Sequence, residues 1–254
     1  MKKLALKDIL YLVAIIILLI ALITVSVLYG LERTKKTDAE SEVQSYYDMK
    51  CSAFELENYN FSKGQIVFIG DSITDGYPLD NFYGDLALRT YNRGISGDVT
   101  SGVYRRLKLS LFDLAPTKIV LMIGINDINL GLTNDEIMIN YTSIIDDIKT
   151  NLPSADVTCL SVLPMNSIVE QYGVDLAKAT AQIKDLNGRI KTFVEGKGYR
   201  YIDLFTHFAD ENDHLITTYS NDGLHPNNAG YVVWTNVLKP VLNSYIIMVL
   251  DLLS

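Results

Sequence analysis

Ile66-Val67-Phe68-Ile69-Gly70-Asp71-Ser72-Ile73-Thr74-Asp75-Gly76 sets four large apolar residues in a row directly before a glycine and a cluster of short polar side chains. Four consecutive apolar positions leave no face for water. The segment therefore reads as a strand covered on both sides, as in a parallel sheet between helices. In such sheets ligands gather beyond the carboxyl ends of the strands, which is where Asp71 to Gly76 would lie.

The same pattern recurs outward along the chain. Lys118 to Gly124 is a second apolar run, followed by Ile125-Asn126-Asp127, and Asp156 to Leu163 is a third. Tyr199 to Leu204 and the weaker Arg89 to Arg93 complete a set of five. Between them lie helical stripes. Thr133 and Glu136 form a capping box ahead of Ile137, Tyr141, Ile144, Ile145, Ile148 and Leu152. Leu176, Ile183, Leu186, Ile190 and Phe193 make another, stopped by Gly196 and Gly198. Asp98 is expected to cap a helix through Val103 and Leu107, and Pro226 to open a last helix carrying Val232, Val233 and Val237. Val43, Tyr46, Tyr47 and Phe54 suggest a helix leading into the domain. Alternating strands and helices predict one three-layer α/β/α domain over 43–254, with a mostly five-stranded parallel sheet.

Four polar, glycine-bearing turns would then share one sheet edge: Gly70 to Gly76, Asn92 to Asp98, Gly124 to Asp127, and Asn221-Asp222-Gly223-Leu224-His225-Pro226. A serine hydroxyl becomes a nucleophile when a base takes its proton and a third group holds the base. Ser72 is the candidate nucleophile, His225 the base, and Asp222, three residues earlier, the group that holds the imidazole. An oxyanion needs donors already aimed at it. The peptide N–H groups of Ser72 and Gly97 and the side-chain amide of Asn126 could supply them. Gly94 reads as a structural turn residue, and Asp71 and Asp127 as turn carboxylates that bind backbone.

These blocks carry a resemblance. Ser72, Gly97, Asn126 and His225 match in order the serine, glycine, asparagine and histidine blocks of the SGNH hydrolases, also called GDSL esterases and lipases. The first block reads Gly-Asp-Ser-Ile in place of Gly-Asp-Ser-Leu, and the Asp-x-x-His block is intact. Asn92 to Thr100 is similar to the platelet-activating-factor acetylhydrolase and lysophospholipase-like branch. The resemblance covers about residues 43–245. It implies a flavodoxin-like sheet and an ester hydrolase working without metal or other cofactor, on a small-molecule, glycan or lipid ester. Two alternatives stay open: an acyltransferase using the same residues, and a non-catalytic flavodoxin-like binding module. Asp71 and Asp75 beside the first turn argue against an anionic ligand for such a module. The G-x-S-x-G elbow of other α/β-hydrolases is absent, since Thr74 stands where its second glycine would be.

Composition narrows the rest. The chain has 254 residues, 48% of them apolar and 20% charged, which excludes disorder and collagen-like repeats. Residues 1–36 hold six basic and two acidic side chains, so the remaining 16 basic and 28 acidic residues give the domain a balance of -12. That charge repels a phosphate backbone and argues against nucleic acid as a partner. Two cysteines make no disulfide framework or zinc site, and Cys159 reads as a small core residue. His207 and His214 are not expected in the chemistry; His214 lies in a solvated acidic turn.

Ile9 to Tyr29 is a run of 21 residues without a charge. As a helix it would rise about 31 Å, the thickness of a bilayer's hydrocarbon core. The run exceeds the apolar core of a cleaved signal peptide and lacks a good small-x-small site after it. Residues 1–30 are therefore expected to form a transmembrane anchor, with 31–42 as a polar stem. Lysines and arginines number three on each flank, and the N-terminal amine adds a positive charge on the short side, so the short tail is expected inside and the catalytic domain outside the cytoplasm.

Overall fold

The computed structural model describes the backbone of residues 6–253 and the side chains of 17–33 and 41–243. Five strands, β1 (Ile66–Gly70), β2 (Thr90–Gly94), β3 (Lys118–Met122), β4 (Asp156–Leu160) and β5 (Arg200–Ile202), form one sheet in the order β2-β1-β3-β4-β5. Every pairing is parallel, with Ile66 opposite Thr90 on one side and Lys118 on the other. This is the flavodoxin-like order, whose direction of winding reverses between β1 and β3. All five residues of β1 and of β3 are buried, as two covered faces require.

The helices are α1 (Leu6–Asn58), α2 (Ser72–Asp75), α3 (Leu79–Tyr83), α4 (Thr100–Arg105), α5 (Ile125–Asn129), α6 (Asn134–Asn151), α7 (Leu176–Gly196), α8 (Phe205–Phe208) and α9 (Asn228–Leu253). The capping box on α6 is present, with Thr133 and Glu136 bonded reciprocally. Ile137, Tyr141, Ile144, Ile145 and Ile148 are buried, as are Leu176, Ile183, Leu186 and Ile190 of α7.

Several expectations need correction. Asp98 does not cap α4, whose N-cap is Val99; its carboxylate is buried against Arg106 instead. Pro226 lies before α9 and bridges to Ser220, while the Asn227 side chain accepts the Ala229 and Gly230 N–H groups. The buried face of α9 is Tyr231, Trp234, Leu238 and Leu242; Val232 is exposed. Phe193 is only partly buried, with Val194 taking the inward position.

Two units are distinct, residues 1–46 and 47–254. The expected stem, 31–42, lies within α1. The expected membrane span is not found: among the described residues no helix is long and apolar enough to cross a membrane. Residues 9–16 of the apolar run lie outside the described side chains.

Candidate active site

β1 ends at Gly70 and the chain turns at once into α2. Asp71 makes that turn, its Oδ1 accepting the Ile73 N–H at 3.0 Å from a fully buried position. Ser72, the first residue of α2, is thereby held at the sheet edge. Its Oγ lies 2.9 Å from Nε2 of His225, 153 residues away in sequence.

The histidine sits on the tight turn that precedes α9. Nδ1 of His225 is 2.7 Å from Oδ2 of Asp222. Oδ1 of the same carboxylate accepts the peptide N–H groups of Leu224 at 3.0 Å and His225 at 2.8 Å, and the Ser220 hydroxyl at 3.1 Å. The three-residue spacing thus lets one side chain close the turn and hold the ring. Burial raises the Asp222 carboxyl's pKa, but the bonds from the His225 ring and the peptide N–H groups outweigh it and bring it down to about 2. The carboxylate is ionised at neutral pH and can only accept. Nδ1 therefore carries the proton, and Nε2 faces Ser72 as an acceptor.

Gly97 and Asn126 belong to two neighbouring turns. β2 leads into Ile95, whose N–H reaches Gly70 O at 3.1 Å, and then into Gly97 in the left-handed region with φ of +79°. A side chain would be strained there. Asn126 Nδ2 donates to Asp98 O at 2.9 Å, which ties the amide to the residue after Gly97 and leaves it a second N–H. Asp127 completes the clasp, accepting the Thr100 N–H at 3.0 Å and the Thr100 hydroxyl at 2.6 Å. Gly94 is structural: a Cβ there would lie 2.1 Å from the Asp75 nitrogen.

Sequence reading missed the group beneath these turns. Arg106 is buried and donates to Asp98 Oδ2 at 2.8 Å, Arg93 O at 2.7 Å, Ser110 Oγ at 2.9 Å and Gly70 O at 2.9 Å. One guanidinium thus fastens the ends of β1 and β2 and the start of α4. Burial raises the Asp98 carboxyl's pKa, and Arg106 offsets only part of that rise. No local signal marks a buried arginine whose partners lie 4 to 36 residues away. Among the described residues no group of three or more His, Cys, Asp or Glu side chains could hold a metal ion.

The arrangement can remove a proton from Ser72 and return it to a leaving group, with N–H donors on adjacent turns. Comparison with known proteins points the same way. Residues 68–233 match the model of the GDSL-like lipase/acylhydrolase family. No curated protein matches the sequence. Among solved structures, the chain is similar to a Streptococcus pneumoniae protein described as a candidate platelet activating factor. They share 28% identity and a TM-score of 0.74, over 80% of this chain and 96% of that one. A GDSL-like lipase from Bacteroides thetaiotaomicron VPI-5482 shares 23% identity and a TM-score of 0.69, over 77% and 98%. An acetylxylan esterase from Geobacillus stearothermophilus shares 20% identity and a TM-score of 0.57, over 70% and 94%; these last two show likeness of fold alone.

Proposed function

This chain belongs to the GDSL-like lipase/acylhydrolase family and is a carboxylic ester hydrolase, and we propose that it works through an acyl-enzyme on Ser72. The observation that carries the reading is the unbroken hydrogen-bonded line from Ser72 Oγ through His225 to Asp222, at 2.9 and 2.7 Å. Ser72 Oγ attacks the ester carbonyl carbon while His225 Nε2 takes its proton. The peptide N–H groups of Ser72 and Gly97 and the free N–H of Asn126 receive the oxyanion. Collapse of the tetrahedral species breaks the bond to the alcohol oxygen, which leaves with the proton from His225. Water then attacks the acyl-serine with His225 again as base, releasing the acid and the serine.

The preferred substrates in this proposal are short-chain, acetyl-like esters of a glycan or lipid. Support comes from the short connections that carry the first three blocks, Gly70 to Ser72, Gly94 to Thr100 and Met122 to Ile125, which leave no room for a lid there. The acetylxylan esterase with the same fold is a precedent for such acyl groups. We also propose that the N-terminal run anchors the enzyme to a membrane, with the domain outside the cytoplasm. Exposed apolar side chains from Ile17 through Leu31 support an apolar surrounding there.

A fluorophosphonate probe should label Ser72, and a chain-length series of p-nitrophenyl esters should show turnover falling from acetate to longer acyl groups. Absent labelling of active protein overturns the acyl-enzyme; preference for long chains overturns the short-chain assignment.

A further inference from the structure

Asp75 closes the helix that Ser72 opens, and its carboxylate serves two other parts of the chain. Oδ2 accepts both the peptide N–H of Ser96 at 3.1 Å and the Ser96 hydroxyl at 2.7 Å. Oδ1 lies 2.8 Å from Nζ of Lys50, on the last turns of α1. Both side chains of the ion pair are largely buried, 22% exposed for Lys50 and 11% for Asp75. The Lys50 ammonium also lies 5.2 Å from the centre of the Phe54 ring, itself buried. Ser96 immediately precedes Gly97. The carboxylate therefore links the nucleophile's helix to the turn bearing a proposed oxyanion donor, one oxygen for the turn and the other for α1.

We infer that Lys50 and Asp75 are positioning residues for the oxyanion site: Asp75 fixes Ser96, and through it the adjoining Gly97 N–H, relative to Ser72, and Lys50 holds the Asp75 carboxylate in the orientation that does so. The inference rests on the reading of Gly97 as a donor. A donor displaced from an oxyanion weakens the transition state and leaves ground-state binding almost alone, so the loss belongs in kcat. Full removal of one donor costs about 10²–10³ in kcat, and a loosened donor costs a part of that.

The test is steady-state kinetics on the full chain with p-nitrophenyl acetate. Lys50→Met keeps the aliphatic stem on a partly exposed helix position. It is expected to lower kcat about tenfold with KM within about twofold, and Lys50→Arg to recover most of the loss. Ser96→Ala, which deletes only the hydroxyl's bond, is expected to lower kcat in the same direction by less. A Lys50→Met enzyme with the parent kcat overturns the inference. So does a loss carried by KM, a loss that Lys50→Arg does not repair, or a Ser96→Ala enzyme equal to the parent. The parent protein separates this outcome from the esterase reading. An inactive, unlabelled parent condemns that reading, whereas an active parent indifferent to Lys50 condemns only the positioning pair.

Discussion

The nucleophile and its base sit on opposite kinds of ground. Beneath Ser72, Gly97 and Asn126 lie charged side chains almost without water, Asp98 and Arg106 each 2% exposed. On the other side, the Asp222 and His225 side chains are 45% and 42% exposed on a turn whose bonds are nearly all local. The first side is suited to staying still, because every buried partner it loses costs a full desolvation penalty. The second is suited to trading protons, because water can solvate a ring that alternates between charged and neutral. Donors for an oxyanion gain from being fixed before the reaction, and the base gains from being free to change charge.

The two sides meet in the Ser72–His225 bond, and the largest expected effect comes from deleting that contact. Ser72→Ala should lower kcat about 10⁵-fold or more, while the midpoint of thermal unfolding stays within a few degrees of the parent. Full turnover by the folded variant would mean the two sides do not cooperate in one reaction. Breaking the buried side should instead show in stability. Arg106→Met leaves Asp98 buried without its cation and strips the carbonyls of Gly70 and Arg93 of a donor. A cost of about 3–5 kcal/mol is expected in urea unfolding. A cost below about 1 kcal/mol would show that the buried cluster is not what makes this side rigid. Asn126→Ala sharpens the contrast, since it removes a donor while Asp127 still holds the turn to Thr100. It should lower kcat about 10²–10³-fold.

The two sides also differed in how far they could be read in advance. Four apolar residues before Gly70 announce β1 and the turn after it, and the four turns are marked by glycines and short polar residues at the ends of the strands and before the last helix. Asp222 and His225 were legible because their interaction is local, three residues apart. Arg106 was not, since its partners come together only when β1, β2 and α4 do. Asp98 is deceptive for the same reason: next to a helix start it looks like a cap, and only the fold sets it against a buried guanidinium. The valine stripe of α9 holds in part: Val233 and Val237 pack against the core, while Val232 is exposed. The most inward positions go to the larger Tyr231 and Trp234, where they remove more surface from water.

Acid should separate the sides with opposite signs, the smallest effect and the most specific one. Burial, reinforced by the neighbouring Asp98 and Asp127, raises the Asp71 carboxyl from 3.8 to about 7. A group whose folded pKa is raised adds stability that is complete below its unfolded pKa and is lost as pH climbs through the folded one. Asp71 therefore makes the fold less stable between about pH 4 and pH 7 as pH rises. Asp222 works the other way: its pKa is lowered to about 2, so its contribution is present above about pH 4 and lost on the way down to 2. Asp71→Asn keeps an acceptor for the Ile73 N–H and cannot ionise, so it should flatten the slope of unfolding midpoint against pH between 4 and 7. Asp222→Asn should leave that slope alone and flatten the one below pH 4. Thermal unfolding of the parent and both variants across pH 2–8 reads this directly, and a single slope altered equally by both substitutions would erase the distinction between the buried side and the exposed one.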